Sequence, residues 1–210
     1  MVKKKTSKQE RKIQQELMWI VGFFVFLVII FLIASSVFKS FNKFEYEGLS
    51  FTNEKFGEIP VFHYYYYFNS SNKLFRYNLF LRIDPRKNDV PIEGDKIEFK
   101  TKKVYLGLET GRIGKCSRSQ VSIATLSGFL TDNQLSVEAG NTNPSEAEVQ
   151  GQEYITCENK KDSNVIQILG GDETKVENNG LCHTITVGPD CKILDAVEKF
   201  QVQSILDSKS

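Results

Sequence analysis

The sequence contains few of the residues and motifs on which common catalytic sites depend. Histidine occurs only at His63 and His183, and neither an H-E-x-x-H nor a G-x-S-x-G motif is present. Residues 111–115 (GRIGK) lack the first glycine of a phosphate-binding loop, and Cys116 stands where Ser or Thr is required. The spaced acidic ligands of an EF-hand are also missing. The sequence therefore predicts no catalytic residue, no cofactor and no metal site.

An excess of one charge sign is missing as well. The chain has 27 Lys and Arg against 26 Asp and Glu, a formal net charge of +1, so we expect no nucleic-acid partner. The charges are nevertheless unevenly placed, because residues 1–16 form a basic tail in which only Glu10 and Glu16 are acidic. The basic residues of this tail are Lys3, Lys4, Lys5, Lys8, Arg11 and Lys12.

Charged residues are entirely missing from the next segment, which begins at Leu17 and ends at Phe38 (LMWIVGFFVFLVIIFLIASSVF). At about 1.5 Å per residue, a helix of this length crosses a hydrocarbon core of roughly 30 Å. A cleaved signal peptide is the alternative, with Ala34-Ser35-Ser36 as the small residues at the cleavage site, but its apolar region usually runs only about 7 to 15 residues. We therefore predict a transmembrane helix at residues 17–38, with the lipid bilayer as a partner.

The lysine and arginine bias around this segment predicts its orientation. Six such residues precede it, whereas Lys39, Lys43 and Lys55 follow it. By the positive-inside rule, the N-terminus is cytoplasmic and the domain after residue 38 lies outside the cytoplasm. Residues 39–58 are interpreted as a stalk or a first strand, and residues 59–210 as a single domain.

The paired CxxC spacing of a typical zinc site does not occur among the four cysteines, Cys116, Cys157, Cys182 and Cys191. An even set outside the cytoplasm predicts two disulfides. We favour Cys116–Cys157 and Cys182–Cys191 among the three possible connectivities, because the second pair closes a short loop. The alternatives are a metal site that uses Cys182 and His183, and a redox-active thiol pair.

Two extended runs, residues 59–68 and 73–83, flank a polar cluster at residues 69–72 and predict a β-hairpin. Asn69 in this cluster begins an acceptor tripeptide for N-glycosylation, Asn69-Ser70-Ser71. An even-numbered loop pairs Phe62 with Leu79, Tyr64 with Tyr77 and Tyr66 with Phe75.

This register puts Tyr64 and Tyr66 on the apolar face of the hairpin, and it leaves four candidate binding residues on the other face: His63, Tyr65, Tyr67 and Arg76. Tyr65 and Arg76 are then a cross-strand cation–π pair. An odd-numbered loop would exchange the two faces of the first strand.

Proline, glycine and asparagine divide the remaining chain into short elements. Residues 84–91 are predicted to form a surface loop, where Arg82, Asp84 and Arg86 are further candidate binding residues, and residues 140–152 are predicted to form a mobile loop. Strands are predicted at 95–100, 103–108, 135–139, 153–157, 165–169 and 182–187, and helices at 117–130 and 191–206. Without a regular βαβ alternation, this order favours an α+β domain with antiparallel strands and two helices.

Three segments together carry a family resemblance: FEYEGLSF from Phe44, LRIDPRKNDVP from Leu81, and CKILDAVEKFQVQSIL from Cys191. The chain resembles uncharacterised archaeal membrane proteins with one N-terminal span and an outward domain. The resemblance covers most of the chain and implies no activity.

These observations predict a membrane-anchored extracytoplasmic domain that has a binding, assembly or accessory-subunit role and a protein partner in the cell envelope. An envelope hydrolase or transferase, with a site built from acidic residues, tyrosine and His183, is the second hypothesis. A thiol redox protein is the third.

Overall fold

The computed structural model describes residues 3–70 and 72–209, and the side chains of residues 12–33, 42–69 and 72–209. Most side chains of the predicted basic tail lie outside the described residues. The same holds for the side chains of residues 34–38, and for Ser71 of the glycosylation tripeptide.

Helix α1 (Lys3–Phe41) forms most of the first of two compact units, which meet between Phe44 and Glu45. Its segment Lys12–Ile33 has a mean hydropathy of 2.8, and none of that segment is buried against the rest of the protein. Such a helix is long and apolar enough to cross a membrane. The predicted apolar N-terminal helix is therefore confirmed.

A four-stranded antiparallel sheet follows α1, and all of it except the first two residues of its first strand belongs to the second unit. Strands that are neighbours in sequence are neighbours in this sheet. Positive φ angles at Glu47 and Gly48 give the tight turn between the first two strands. Both strands lie within residues 39–58, the segment predicted to be a stalk or a first strand. The strands are β1 (Lys43–Tyr46), β2 (Leu49–Phe56), β3 (Ile59–Ser70) and β4 (Lys73–Leu81).

The predicted register of the β3–β4 hairpin is wrong by two residues. Tyr64 pairs with Leu79 and Tyr66 with Tyr77, because β3 continues to Ser70 and the connection is two residues long instead of four. A shift of two residues keeps every side chain on its predicted face. Tyr64 is accordingly buried, with 6% of its surface exposed.

The second sheet has seven strands in the order β5-β10-β11-β9-β6-β7-β8. Antiparallel pairing, as predicted, joins β10 to β11, whereas the five other pairs are parallel. The strands are β5 (Ile92–Gly94), β6 (Lys103–Leu108), β7 (Ser136–Asn141), β8 (Glu153–Tyr154), β9 (Asn164–Gly170), β10 (Lys175–Asn179) and β11 (Cys182–Val187).

Four helices of the described chain accompany this sheet: α2 (Thr110–Ile113), α3 (Ser119–Asp132), α4 (Pro144–Gln150) and α5 (Ile193–Asp207). Helices α3 and α5 occupy the two predicted helical segments, whereas α2 and α4 were not predicted. The α+β class is confirmed. Helices α3 and α4 provide the crossover connections that parallel pairing of β6, β7 and β8 requires.

The mobile loop predicted at residues 140–152 is wrong, because most of it forms α4. The Asn143 side chain accepts hydrogen bonds from the backbone N–H groups of Ser145 (3.0 Å) and Glu146 (3.2 Å), and Pro144 occupies the first turn. Gly151 ends the helix in the left-handed region at φ 62°. The Asn-Pro pair is thus a helix start and not a turn.

The strand predicted at residues 95–100 is also wrong, because side chains from other elements satisfy its backbone donors. Ile97 N–H donates to the Asp207 carboxylate at 2.8 Å, and Lys100 N–H donates to Asn164 Oδ1 at 3.0 Å. The segment therefore follows α5 and β9 without joining a sheet ladder.

Helices α3 and α5 form a layer between the two sheets. Phe129 on α3 contacts Tyr77 on β4 with ring centroids 5.7 Å apart, and Phe200 on α5 contacts His183 on β11 at 5.6 Å. Ten of the fifteen residues of α5 are buried, and the partly exposed Asp195, Lys199 and Gln203 lie along the remaining side of the helix. The buried surface is therefore wider than a single apolar stripe, because each sheet covers a different side of α5.

Glu198 is the buried charged residue of this layer, with 1% of its surface exposed. Its carboxylate accepts the backbone N–H groups of Arg82 (2.8 Å) and Ile83 (2.9 Å), directly after β4. Burial raises the pKa of Glu198 to about 7, although these two N–H donors favour the ionised form. Glu198 thus connects α5 to the end of the four-stranded sheet.

We predict that Glu198 makes the protein less stable as the pH rises from 4.5 to about 7. The unfolded chain releases the proton near pH 4.5, whereas the folded chain retains it up to about pH 7. The free energy of unfolding should fall across this window by up to about 3 kcal/mol. Glu198→Gln should lack this fall, which urea unfolding of both proteins between pH 4 and pH 8 measures.

Glu148→Gln is the matched control, because Glu148 is exposed on α4. Every other titrating group is common to the compared proteins, so the difference curve isolates the substituted carboxyl. Parallel stability curves for the wild type and Glu198→Gln would contradict the prediction.

Candidate ligand-binding site

The parallel strands of the seven-stranded sheet end at one edge, and two neighbours there send their connections in opposite directions. After β6 the chain passes through α2 and α3 to β7, whereas after β9 it passes to β10 and β11 on the other side. Connections that diverge in this way leave a crevice at the carboxyl ends of the strands, where ligands of open α/β sheets bind. The crevice lies between Leu108 of β6 and Gly170 of β9.

A depression of about 310 Å³, here called the carboxyl-edge depression, lies beside this crevice, where β9 and β11 end next to the segment that follows α2. A Cβ atom on Gly170 would lie 2.8 Å from Arg112 Cβ and 2.9 Å from Arg112 Nε, so glycine allows the Arg112 side chain to lie against the backbone of β9. The lining residues are Arg112, Ile113, Lys115, Cys116, Gly170, Gly171, Val187, Gly188, Pro189 and Cys191.

The charge of this depression is positive. Arg112 and Lys115 are exposed, neither forms an ion pair with a described carboxylate, and no acidic residue belongs to the lining. The nearby Glu109 carboxylate instead accepts the Gly170 N–H at 2.8 Å. Glu109 therefore stabilises the end of β9, and the two cations remain available to an anion.

A disulfide closes one side of the depression. Cys116 precedes α3 and Cys191 precedes α5, and their Cα atoms lie 5.4 Å apart in the Cys116–Cys191 bridge. Ser119 Oγ adds a hydrogen bond of 2.8 Å to the Cys116 carbonyl. The loops that supply Lys115 and Gly188 are therefore held next to each other.

The predicted disulfide connectivity is wrong. The pairs are Cys116–Cys191 and Cys157–Cys182, and the described chain contains no free cysteine. Packing of α5 on α3 brings the residues before the two helices together. Cys182 begins β11, beside β9, and Cys157 lies over the same strands, where its N–H donates to Gln167.

A second, polar depression of about 440 Å³ adjoins the first and shares Arg112 and Gly170 with it. Its other lining residues include Glu109, Thr142, Thr156 and Gln167. Arg112 therefore stands between two concave surfaces at the carboxyl edge.

The structure brings together the candidate binding residues of the hairpin, His63, Tyr65, Tyr67 and Arg76, on the outer face of the four-stranded sheet. Arg76 is paired with Tyr67 instead of Tyr65, but its guanidinium carbon lies 4.3 Å from the Tyr65 ring centroid in a diagonal cation–π contact. His63 Nδ1 lies 2.7 Å from Glu54 Oε1. The binding role of this group stays a prediction.

The candidate residues after β4 largely serve the local structure. Asp84 forms an ion pair with Arg86 at 2.7 Å, and the hydrogen bonds from Arg86 lower the pKa of Asp84. Arg82 contributes its backbone N–H to Glu198. Asn69, at the end of β3, is exposed and pairs with Leu74.

His183, the residue considered as a catalytic base, is completely buried between aromatic rings. Its ring lies 5.8 Å from that of Phe99, and its Nδ1 lies 3.0 Å from Asn178 Oδ1. Burial lowers the pKa of His183 to about 4. His183 does not line the carboxyl-edge depression. Among the described residues, no group of three or more His, Cys, Asp or Glu is placed to hold a metal ion.

The carboxyl-edge depression was not predicted, although its residues carry a recognisable signal. GRIGK does not match a phosphate loop, but it supplies both cations of the depression, Arg112 and Lys115. Gly170-Gly171 and Gly188 each follow an apolar strand directly. Glycine at the end of a strand lets a ligand approach the backbone closely, which is typical of a binding site at the carboxyl ends of strands.

We predict that removal of the Cys116–Cys191 bridge by the double substitution Cys116→Ser/Cys191→Ser destabilises the protein. The bridge spans 75 residues, and loss of such a constraint on the unfolded chain costs about 4.5 kcal/mol. The 25-residue span of Cys157–Cys182 corresponds to about 3.5 kcal/mol, so Cys157→Ser/Cys182→Ser, with the smaller expected loss, is the matched comparison. Urea unfolding measures both losses, and an unchanged free energy for the first variant would contradict the prediction.

Comparison with known proteins gives no independent guide to this site. No family model, no curated protein and no solved structure matches the chain. The carboxyl-edge depression therefore rests on the geometry and chemistry of this chain alone.

Proposed function

We propose that this chain is a single-pass membrane protein whose domain lies outside the cytoplasm and binds an anionic ligand in the carboxyl-edge depression. In this role the domain serves as a binding or accessory subunit of an assembly in the cell envelope. The observation that carries the binding function is the pair of cations, Arg112 and Lys115, in a concave site without an acidic lining residue.

Two features support the proposed location. The apolar segment Lys12–Ile33 has the length of a membrane span, and both disulfides are typical of an oxidising compartment. The concentration of lysine and arginine before residue 17 supports a cytoplasmic N-terminus.

The chemistry of the two cations favours an oxyanion, which is a carboxylate, phosphate or sulfate group. Arginine offers a planar fork of N–H donors that matches two oxygens of such a group, and lysine adds a mobile point charge. The depression of about 310 Å³ lies at the lower end of the range of roughly 300 to 1,000 Å³ for small-molecule sites. We therefore expect a small ligand, or one acidic group of a larger envelope component.

The anchor prediction concerns α1. The full-length chain should stay in the membrane fraction after alkaline extraction, and Val25→Arg/Leu27→Arg should release it. Each arginine near the centre of a span costs about 2.5 to 3.5 kcal/mol of insertion free energy. Val25→Ala/Leu27→Ala, which adds no charge, is the matched control and should remain in the membrane.

The orientation of the chain in the membrane is tested on vesicles from the same membrane fraction. Protease added to sealed inside-out vesicles should remove residues 1–16 and leave the domain intact. Digestion of the whole domain would show the reverse orientation, and recovery of a shortened soluble domain would show a cleaved signal peptide.

The ligand prediction concerns Arg112 and Lys115. Inorganic phosphate, titrated into the full-length protein in nanodiscs, should shift the NMR signals of the Arg112 side chain, and acetate should do so more weakly. Arg112→Gln and Lys115→Gln should each weaken phosphate binding about tenfold, which corresponds to about 1.4 kcal/mol.

Lys102→Gln is the matched control for charge, because Lys102 is exposed just before β6, at the opposite end of that strand from the depression. An equal loss of phosphate binding in Lys102→Gln would contradict a defined site and show a general effect of net charge.

A further inference from the structure

The outer face of the four-stranded sheet carries a continuous row of aromatic side chains, here called the aromatic ladder: Phe56, Phe80, His63, Tyr65 and Tyr67. Successive ring centroids lie 5.3, 4.5, 6.1 and 5.9 Å apart. The register places all five on one face. Thr52, His63 and Phe80 are paired across the three strands, so their side chains share a face. Phe56 lies four residues after Thr52, and Tyr65 and Tyr67 lie two and four residues after His63, so their side chains point the same way. This face is opposite to the one that contacts α3.

The aromatic ladder is exposed to an extent that is unusual for a sheet face. Phe56 is 59% exposed, Tyr65 49%, Tyr67 57% and Phe80 38%, and the flanking Ile59 and Leu74 are 50% and 67% exposed. A contiguous apolar patch of this kind marks a surface that another phase or molecule covers.

The polar groups on this face are those of an interface between lipid and water. Tyrosine presents a ring and a hydroxyl, and Arg76 lies over the Tyr65 ring at 4.3 Å. Glu54 is the one carboxylate of this face among the described residues of β2, β3 and β4, and it lies 2.7 Å from His63 Nδ1. The combination of aromatic rings, arginine and little negative charge matches the belt that membrane proteins place at headgroup level.

The chain also limits the distance between this sheet and the membrane. Lys43, the first residue of β1, is five residues from Phe38, the end of the predicted span. Five fully extended residues cover at most about 18 Å, so the first strand of the sheet begins close to the headgroups. An exposed aromatic face can bind a protein or a lipid surface. The bilayer proposed to hold α1 is the partner that the short connection keeps close to this sheet.

We infer that the aromatic ladder is a membrane-contact surface that rests on the lipid headgroup region of the bilayer that holds α1. This inference rests on the anchoring part of the proposed function. It assigns Tyr65 and Tyr67 a lipid partner, and it leaves the carboxyl-edge depression, on the other sheet, for the anionic ligand.

The experiment uses the full-length protein in vesicles of phosphatidylcholine brominated near the headgroup. Trp19 is the only tryptophan of the chain and lies in the apolar segment of α1, so quenching of the parent reports insertion of the anchor. Trp19→Phe/Tyr67→Trp then reports the aromatic ladder. Trp19→Phe/Tyr154→Trp is the matched control, because Tyr154 is 39% exposed on β8 of the other sheet.

We expect brominated lipid to remove about half of the emission of Trp19→Phe/Tyr67→Trp, as for an indole at headgroup depth, and to leave Trp19→Phe/Tyr154→Trp unquenched. If the parent is quenched and Trp19→Phe/Tyr67→Trp is not, the inference is overturned, because α1 is then inserted while the aromatic ladder does not touch lipid. The aromatic ladder would then be a surface for a protein partner. Equal quenching of both substituted proteins would also overturn it, because it shows adsorption without a preferred face. An unquenched parent would overturn the anchor instead, and the Tyr67→Trp signal would still decide whether the face touches lipid.

Discussion

Ten of the fifteen residues of helix α5 are buried, and the arrangement of the domain depends on this burial. One side of the helix faces the seven-stranded sheet through Phe200 and His183, and another meets the end of the four-stranded sheet through Glu198. Gln201 adds a hydrogen bond of 3.1 Å to the Thr125 carbonyl on α3. Two sheets that share no strand are thus held together by one helical layer, so a change in α5 affects both.

The buried polar groups of this layer carry a free-energy cost, because burial disfavours their charged forms. Glu198 has two backbone donors and no ion pair with a described basic residue, and its raised pKa reflects the cost of a charge in an apolar layer. His183 is kept neutral by the same burial. These residues hold the layers in place, and the residues that remain free to meet a ligand lie at the margins.

Two exposed surfaces of the domain differ in the type of side chain that they present. At the carboxyl edge, Arg112 and Lys115 line a depression closed by a disulfide, whereas the outer face of the small sheet offers aromatic rings. The two surfaces lie on different sheets, so the proposed contacts with lipid and with an anionic ligand use separate residues.

The sequence by itself determined the apolar N-terminal helix, the two main helices, the faces of the β3–β4 hairpin and the α+β class. Each follows from a local pattern of apolar residues, so that even a register wrong by two residues left Tyr64 inside and Tyr65 outside. Only the tertiary structure decided the disulfide pairs, the parallel pairing of the second sheet, the burial of Glu198 and the carboxyl-edge depression. These depend on contacts between residues far apart in the chain, such as Cys116 with Cys191 and Arg112 with Gly170, and no local pattern specifies such a contact.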